Sequence, residues 1–316
     1  RMHVLQRTYG FETRAVLVDV GGLAVAGIPF CEIRDIRGDR VVSLPFSDSC
    51  DPLVSNRHEW NEIATTLQSL GHPVSVRVLH SSIPLGDPRF APVSRAKWHG
   101  LELDADVEEI WAGIDASARR AIRKARREGL EVRPAKCKDE LRDFYDLHLH
   151  TRKDKYGLLA QPYAFFENIW SEFVDNGHGD LMVALQDGAI IGGILFLEWN
   201  GVMHYKFNAS NPECAHLRPN DMILWTAIEQ GIASGRRRID FGLSDWDQEG
   251  LLRYKRKYAG EEKTIATLRS EPATGRVVEQ AGAGALLSAV TRFLTDERVP
   301  IELTEKAGNE LYRYFA

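Results

Sequence analysis

The stretch DLMVALQDGAIIGGILFLEWNGVMHYKFNAS, residues 180–210, decides the fold. It reads as three short strands joined by two tight turns, Asp187-Gly188 and Asn200-Gly201, dipeptides that tolerate the left-handed backbone of a two-residue hairpin. Toward the C-terminus a loop at 211–219 leads to a helix from about 221 to 234, stopped by Gly235. A strand at 238–243 follows, in which Ile239, Phe241 and Leu243 alternate with Asp240 and Gly242. The same order stands nearer the N-terminus: strands at 13–20, 23–30 and 40–45, the SDSCDP loop at 47–52, a helix at 57–70 and a strand at 74–79. Three meandering strands, a loop, a helix and a strand therefore occur twice, which predicts an α/β protein with mixed sheet built from a duplicated module.

Between the two copies lie a Pro- and Gly-rich linker at 84–92, a strand at 98–103 and helices at 107–114, 117–129, 138–155 and 163–173. The helix at 117–129, SARRAIRKARREG, carries six cations at 119–127 and a narrow stripe of Ala118, Ala121, Ile122 and Ala125. A solvated face is the plain reading of such a run, and arginine predominance keeps a phosphate site open beside it. After the second copy, 244–262 passes from Ser244 and a carboxylate-rich turn into Arg253, Tyr254, Lys255, Arg256, Lys257 and Tyr258. That segment is either a solvated amphipathic helix or a place to hold an anionic substrate. A strand at 263–269 and helices at 277–294 and 303–314 complete the chain, and the Gly/Ala-rich 277–294 points to close packing.

Length and composition narrow the class. At 316 residues, 44% hydrophobic and 27% charged, the chain has room for two soluble globular units, and its net charge of -5 argues against a general nucleic-acid coat. Cys31, Cys50, Cys137 and Cys214 lie far apart, which predicts small core fillers in a reducing compartment and neither a disulfide framework nor a zinc site. His148 and His150 fall on different helix faces and form no metal pair. No HExxH, GxSxG or P-loop pattern is present. No apolar run reaches the roughly 18 residues of a spanning helix and nothing at the start reads as a signal peptide, so a cytoplasmic location is expected. The first residue is Arg1 and not Met, so the native start is expected upstream.

The order of elements resembles the GCN5-related N-acetyltransferase (GNAT) fold, and two such modules in one chain resemble the FemABX family within the broader BioF2-like group. The residues that carry this are SARRAIRKARREGLEV (117–132), TRKDKYG with QPYAFF behind it (151–166), HYKFNAS (204–210), LRPND with MILWTAIEQGIASG (217–235) and DFGLSDWDQEGLLRYKRKYAGEE (240–262). The resemblance implies an N-terminal module over 1–97, lacking part of its start, a C-terminal module with the catalytic cleft over 98–270, and a helical tail over 271–316 packing back on both. It implies that Lys255 stabilises a developing oxyanion at the cleft, with Asp240 as a further catalytic candidate. Lys206, Asn208 and Ser210 lie on the strand facing that cleft, Ser244 flanks it opposite, and Tyr254 stands where the family often has Phe. Arg120, Arg123, Arg127 and Arg152 are candidate contacts to phosphate or acceptor.

FemABX proteins transfer aminoacyl groups from aminoacyl-tRNA to peptidoglycan precursors. The resemblance thus implies no tightly bound cofactor, aminoacyl-tRNA as donor, a small-molecule or cell-wall precursor as acceptor, and room for peripheral membrane contact. The place of the glycine-rich pyrophosphate loop of acetyl-coenzyme A enzymes is taken by ECAHLRPND, 213–221, which has no glycine, so coenzyme A binding in the usual manner is not expected. Two alternatives stand beside this reading: an acyl-CoA-dependent N- or O-acetyltransferase acting on a sugar or lipid, and a binding protein that keeps the fold without catalysis.

Overall fold

The structure is a computed structural model that describes residues 1–272 and 281–316. The chain begins with α1 (Met2–Tyr9), which the sequence did not signal, and continues through β1 (Glu12–Val20), β2 (Leu23–Ile33), β3 (Arg40–Val42), α2 (Arg57–Ser69) and β4 (Val74–Val78). Next come β5 (Ala91–Glu102), α3 (Val107–Gly113), α4 (Ala116–Arg127), β6 (Glu131–Pro134), α5 (Lys138–His150) and α6 (Tyr163–Ile169). The second copy follows as β7 (Gly179–Gln186), β8 (Ala189–Trp199), β9 (Val202–Ser210), α7 (Pro219–Ala233) and β10 (Arg238–Ser244). It is followed by α8 (Glu249–Arg256), β11 (Glu261–Ser270), α9 (Ala281–Leu294) and α10 (Ile301–Leu311). The part of the expected 277–294 helix before Ala281 lies outside the described residues.

Among the described residues all eleven strands join in one sheet, in the order β1-β2-β3-β4-β11-β5-β10-β9-β8-β7-β6. In both copies the third strand runs parallel to the strand beyond the helix, β3 with β4 and β9 with β10, and pairs with it over only two or three residues before parting. The turns 187–188 and 200–201 have both central residues at positive φ, 51° and 81° in the first and 48° and 74° in the second. That backbone twist matches the flanking strands and locks the β7-β8-β9 meander. The middle of the sheet is an exchange. β5, which follows the first copy, pairs with β10 of the second, whereas β11, which follows the second, pairs with β4 of the first. β5 and β11 also pair with each other over residues 91–100 and 261–269, so β5 passes unbroken through position 97.

Core clusters lie on both faces. α4 and α7 cover one face through Ala118, Ile122, Ala125, Ile223, Leu224 and Ile228. α1, α5 and α6 cover the other around Phe144, Phe165 and Phe166, while α2 covers the first copy with Trp60, Ile63 and Leu67. The expected helices at 138–155 and 163–173 each end in one widened π turn, Thr151–Lys155 and Trp170–Val174, a frequent device where a helix end is re-aimed. The C-terminal helices fold back: Thr304 donates to the Leu294 carbonyl at 2.8 Å and Arg142 meets Glu305 at 3.1 Å. Of the cysteines, only Cys31 is buried. Cys137 is exposed, because it precedes the first turn of α5, so the core-filler reading is corrected for it.

Candidate functional site

The site lies where β9 and β10 part, and two β-bulges shape it. On β9, Phe207 pairs with Leu195 and Tyr205 pairs with Phe196, so Lys206 is the extra residue of a bulge. One added residue switches the faces of a strand. Met203 and Tyr205 point into the α7 core, whereas Phe207 and Ala209 join the α5/α6 core. The bulge sets Lys206 on a different face of β9 from Asn208 and Ser210. Lys206 lines a small hollow beside Arg1, Phe165, Ile169, Leu197 and Phe207. Asn208 and Ser210 belong to the α7 side: Asn208 donates to the Tyr205 hydroxyl, and Ser210 accepts from Asn220 at 3.2 Å. Nothing in strand periodicity reports a bulge, so the sequence alone does not reveal the switch.

On β10, Asp240 pairs with Gly100 and Leu243 with Trp98, leaving Phe241 and Gly242 opposite one residue. Gly242 adopts φ 65°, a conformation that suits glycine. Asp240 closes this bulge by accepting the Gly242 amide at 2.7 Å and the Trp98 indole N–H at 2.8 Å, with His204 at 3.4 Å. Burial acts to raise the Asp240 pKa, but His204 and the Gly242 amide outweigh it and hold the carboxyl below its ordinary value. A carboxylate so engaged is a poor proton acceptor at neutral pH and serves to shape the strand.

Lys255 sits on α8 with 3% of its surface exposed. Its ammonium donates to the carbonyls of Leu243 at 2.9 Å and Gly242 at 3.2 Å, the backbone the bulge turns toward it. These bonds use two of its three N–H groups. Desolvation lowers its pKa to about 8, against the opposing pull of Asp48 and Asp240. Next to it, Ser244 is fully buried and its hydroxyl has no partner. Tyr254 donates to the Asn220 carbonyl at 3.2 Å, and Tyr258 donates to Asp221 at 2.6 Å. Both phenols are pushed up by burial, so they remain neutral donors.

The residue the sequence missed is Asp48, which belongs to the first copy. It pairs with Lys206 in the wedge between β9 and β10. Burial acts to raise its pKa, yet Lys206, with Arg1 and Lys255, holds the carboxyl down to about 2. The loop that delivers it is strained, with Leu44 at φ 40° and Phe46 at φ 58°, a cost of roughly 1–3 kcal/mol at each non-glycine position. The SDSCDP run read only as a loop, and no local pattern foretells a contact across 158 positions.

The arginines lie elsewhere. Arg120 and Arg127 are exposed on α4, and Arg123, also exposed, lies 5.3 Å from the Trp111 ring. Arg119 instead caps α3, donating to the carbonyls of Trp111, Ala112 and Ile114 at 3.1, 2.6 and 2.8 Å. Arg152 is half-buried in the π turn and donates to the Leu159 carbonyl at 3.2 Å. Among the described residues no group of three His, Cys, Asp or Glu is placed to hold a metal ion, and no helix is long and apolar enough to cross a membrane.

A parallel strand pair that splays beside the N-terminus of a helix, present twice in one sheet, defines a tandem GNAT fold. Residues 115–256 match the family described as Acetyltransferase (GNAT) domain. Among solved structures, FemX shares 13% identity at a TM-score of 0.64, over 84% of this chain and 90% of that one. The L-PGS of Bacillus licheniformis shares 14% at 0.56, over 86% and 87%. A tandem GNAT protein from the clavulanic acid biosynthesis pathway shares 13% at 0.50, over 84% and 85%. No curated protein matches the sequence. Residues 115–256 thus resemble the GNAT acetyltransferase domain, and the chain as a whole shares the tandem fold of FemX and L-PGS.

Proposed function

We propose that the protein transfers an acyl group, specifically an aminoacyl group carried as an ester on tRNA, to an amine of a cell-envelope precursor of the peptidoglycan type, acting from the cytoplasm. The observation that carries this reading is Lys255, a buried ammonium pinned by two of its three N–H groups on two carbonyls at the strand splay. The acceptor amine attacks the ester carbonyl, the C–N bond forms, and the carbonyl oxygen becomes an oxyanion facing the third N–H. Collapse breaks the C–O bond, and the proton lost by the amine goes to the departing ribose oxygen. A preorganised cation aimed at such an oxyanion lowers the barrier without reorganising at the moment of reaction. Asp240 keeps the Gly242 turn in shape, and Tyr254, Asn208 and Ser210 present neutral polar groups to substrate from the α7 side.

The start of α7 supports a donor other than coenzyme A. Pro219 occupies the first helical position and offers no amide N–H. Asp221 stands buried in the first turn, where its carboxylate already faces the positive end of the helix. A pyrophosphate brought there meets a like charge and one donor fewer. An acyl-CoA-dependent transfer to a sugar or lipid remains the alternative, on the strength of the acetyltransferase family match. Calorimetric titration with acetyl-coenzyme A, alongside mass-spectrometric transfer assays with charged tRNA and an amine acceptor, decides between them. Saturable coenzyme A binding with no transfer from charged tRNA overturns the aminoacyl reading.

A further inference from the structure

Asp48 reaches the acyl-transfer cleft from the other module, on a loop tied down at several points. Arg77 donates to the Ser47 carbonyl at 2.7 Å, and Cys50 N–H donates to the Arg77 carbonyl at 2.9 Å. Asp51 accepts the amides of Leu79, His80 and Ser81 at 3.0, 2.9 and 2.9 Å. Leu53 and Gly27 exchange both backbone hydrogen bonds, at 2.8 and 3.0 Å. The Phe46 ring lies 5.1 Å from both Tyr9 and Tyr312, which keeps the left-handed residue ahead of Asp48 in place. Strain of this kind persists only where surroundings over-determine it, and it gathers at functional sites.

The wedge is cut to receive this carboxylate. Lys206, extruded from the ladder by the β9 bulge, pairs with it from one side. From the other side Gly242 makes room: a Cβ there would stand 2.8 Å from Asp48 Oδ2. The charges facing Lys255 are Asp48 from the loop, Asp240 and Asp245 from β10 and the turn after it, Lys206 from β9, and His99 from β5. Those facing Asp48 are Lys206, Arg1 and Lys255, with Asp240 as a like charge. Two buried ammonium groups thus share one wedge, with this carboxylate set against both. Like charges in a low-dielectric site disfavour each other's ionised forms, and an opposite charge restores them.

We propose that Asp48 is a positioning residue supplied by the N-terminal module, which fixes the Lys206 ammonium in the β9 bulge and shields the Lys255 ammonium from it. The acyl-transfer cleft is then electrostatically complete only when both modules are docked. This rests on the role given to Lys255 above. The experiment is an NMR titration of the whole protein carrying 13C-labelled lysine, with the Lys255 signal assigned by its loss in Lys255→Met. The wild-type midpoint is expected at about 8. In Asp48→Asn it is expected to fall by about one pH unit, because an opposing charge is removed and a like charge stays. In Asp48→Asn with Lys206→Met it is expected to return toward the wild-type value.

An unchanged or raised midpoint in Asp48→Asn overturns the proposal. If that variant is too unstable to titrate, Lys206→Met alone is expected to raise the midpoint, and no rise overturns the proposal equally. The alkaline limb of transfer activity is expected to move down with the Asp48→Asn midpoint, whereas a purely architectural role lowers activity without moving the limb. Full activity in Lys255→Met refutes the catalytic role of Lys255 and leaves the titration a valid measure of the Asp48 coupling.

Discussion

Replacing Lys255 with Met separates what the ammonium does for chemistry from what it costs the fold. Keeping a lysine charged when its pKa has dropped from 10.5 to about 8 disfavours the native state at neutral pH, by about 3 kcal/mol at 1.36 kcal/mol per pH unit. Met fills a similar volume without that penalty, but it leaves the carbonyls of Gly242 and Leu243 without their donor, at roughly 1–3 kcal/mol for each that stays unsatisfied. The two effects oppose each other at similar size, so the melting temperature is expected to stay within a few degrees of wild type. Transfer is expected to fall about 100- to 1000-fold, the usual result of deleting one oxyanion donor. The pH dependence adds a second signature. The folded-state pKa lies below the unfolded one, so between about pH 8 and 10.5 the unfolded chain binds more protons and wild-type stability gains a rising contribution with pH. Lys255→Met loses that contribution. Single-turnover transfer and melts across this range provide the assay. A variant that loses stability and activity together, or that keeps its activity, refutes the reasoning.

Two predictions concern the architecture around the site. A Cβ at Gly308 would stand 2.5 Å from the Ala160 carbonyl oxygen, so Gly308→Ala is expected to lift α10 from the loop before α6 and speed limited proteolysis there, while unchanged cleavage rules out the close contact. Trp60 is buried at 2% exposure and donates to Asp87 at 2.8 Å, so Trp60→Phe is expected to destabilise the first copy, by about 1–3 kcal/mol for the lost buried hydrogen bond, read as a lower denaturation midpoint.

Much of the fold was legible because it rests on local signals. The paired Asn-Gly and Asp-Gly turns, the repeat of element order and the alternation of Ile239 with Phe241 each follow from a few neighbouring residues. The bulges were not legible: Lys206 and Gly242 look like ordinary members of their strands, and only pairing partners reveal the extra residue. The exchange of β5 and β11 escaped for the same reason, since which neighbour a strand chooses is a matter of long-range pairing. At the site, Lys255 was legible through its block resemblance. Asp48 was invisible because its meaning comes from a contact between modules.

The exchange of strands has a consequence for synthesis. β4 ends at Val78, but β11, the strand that pairs with it, is complete only at Ser270, 192 residues later. At about 5–20 residues per second that interval lasts roughly 10–40 s. For that time the edge of β4, five residues with Val74, Val76 and Val78 on its core face, has no partner on the nascent chain. An unpaired, β-branched edge is a template for pairing with other chains. The ribosome-bound first half is therefore the stage at which this protein is most exposed to aggregation and most in need of a chaperone.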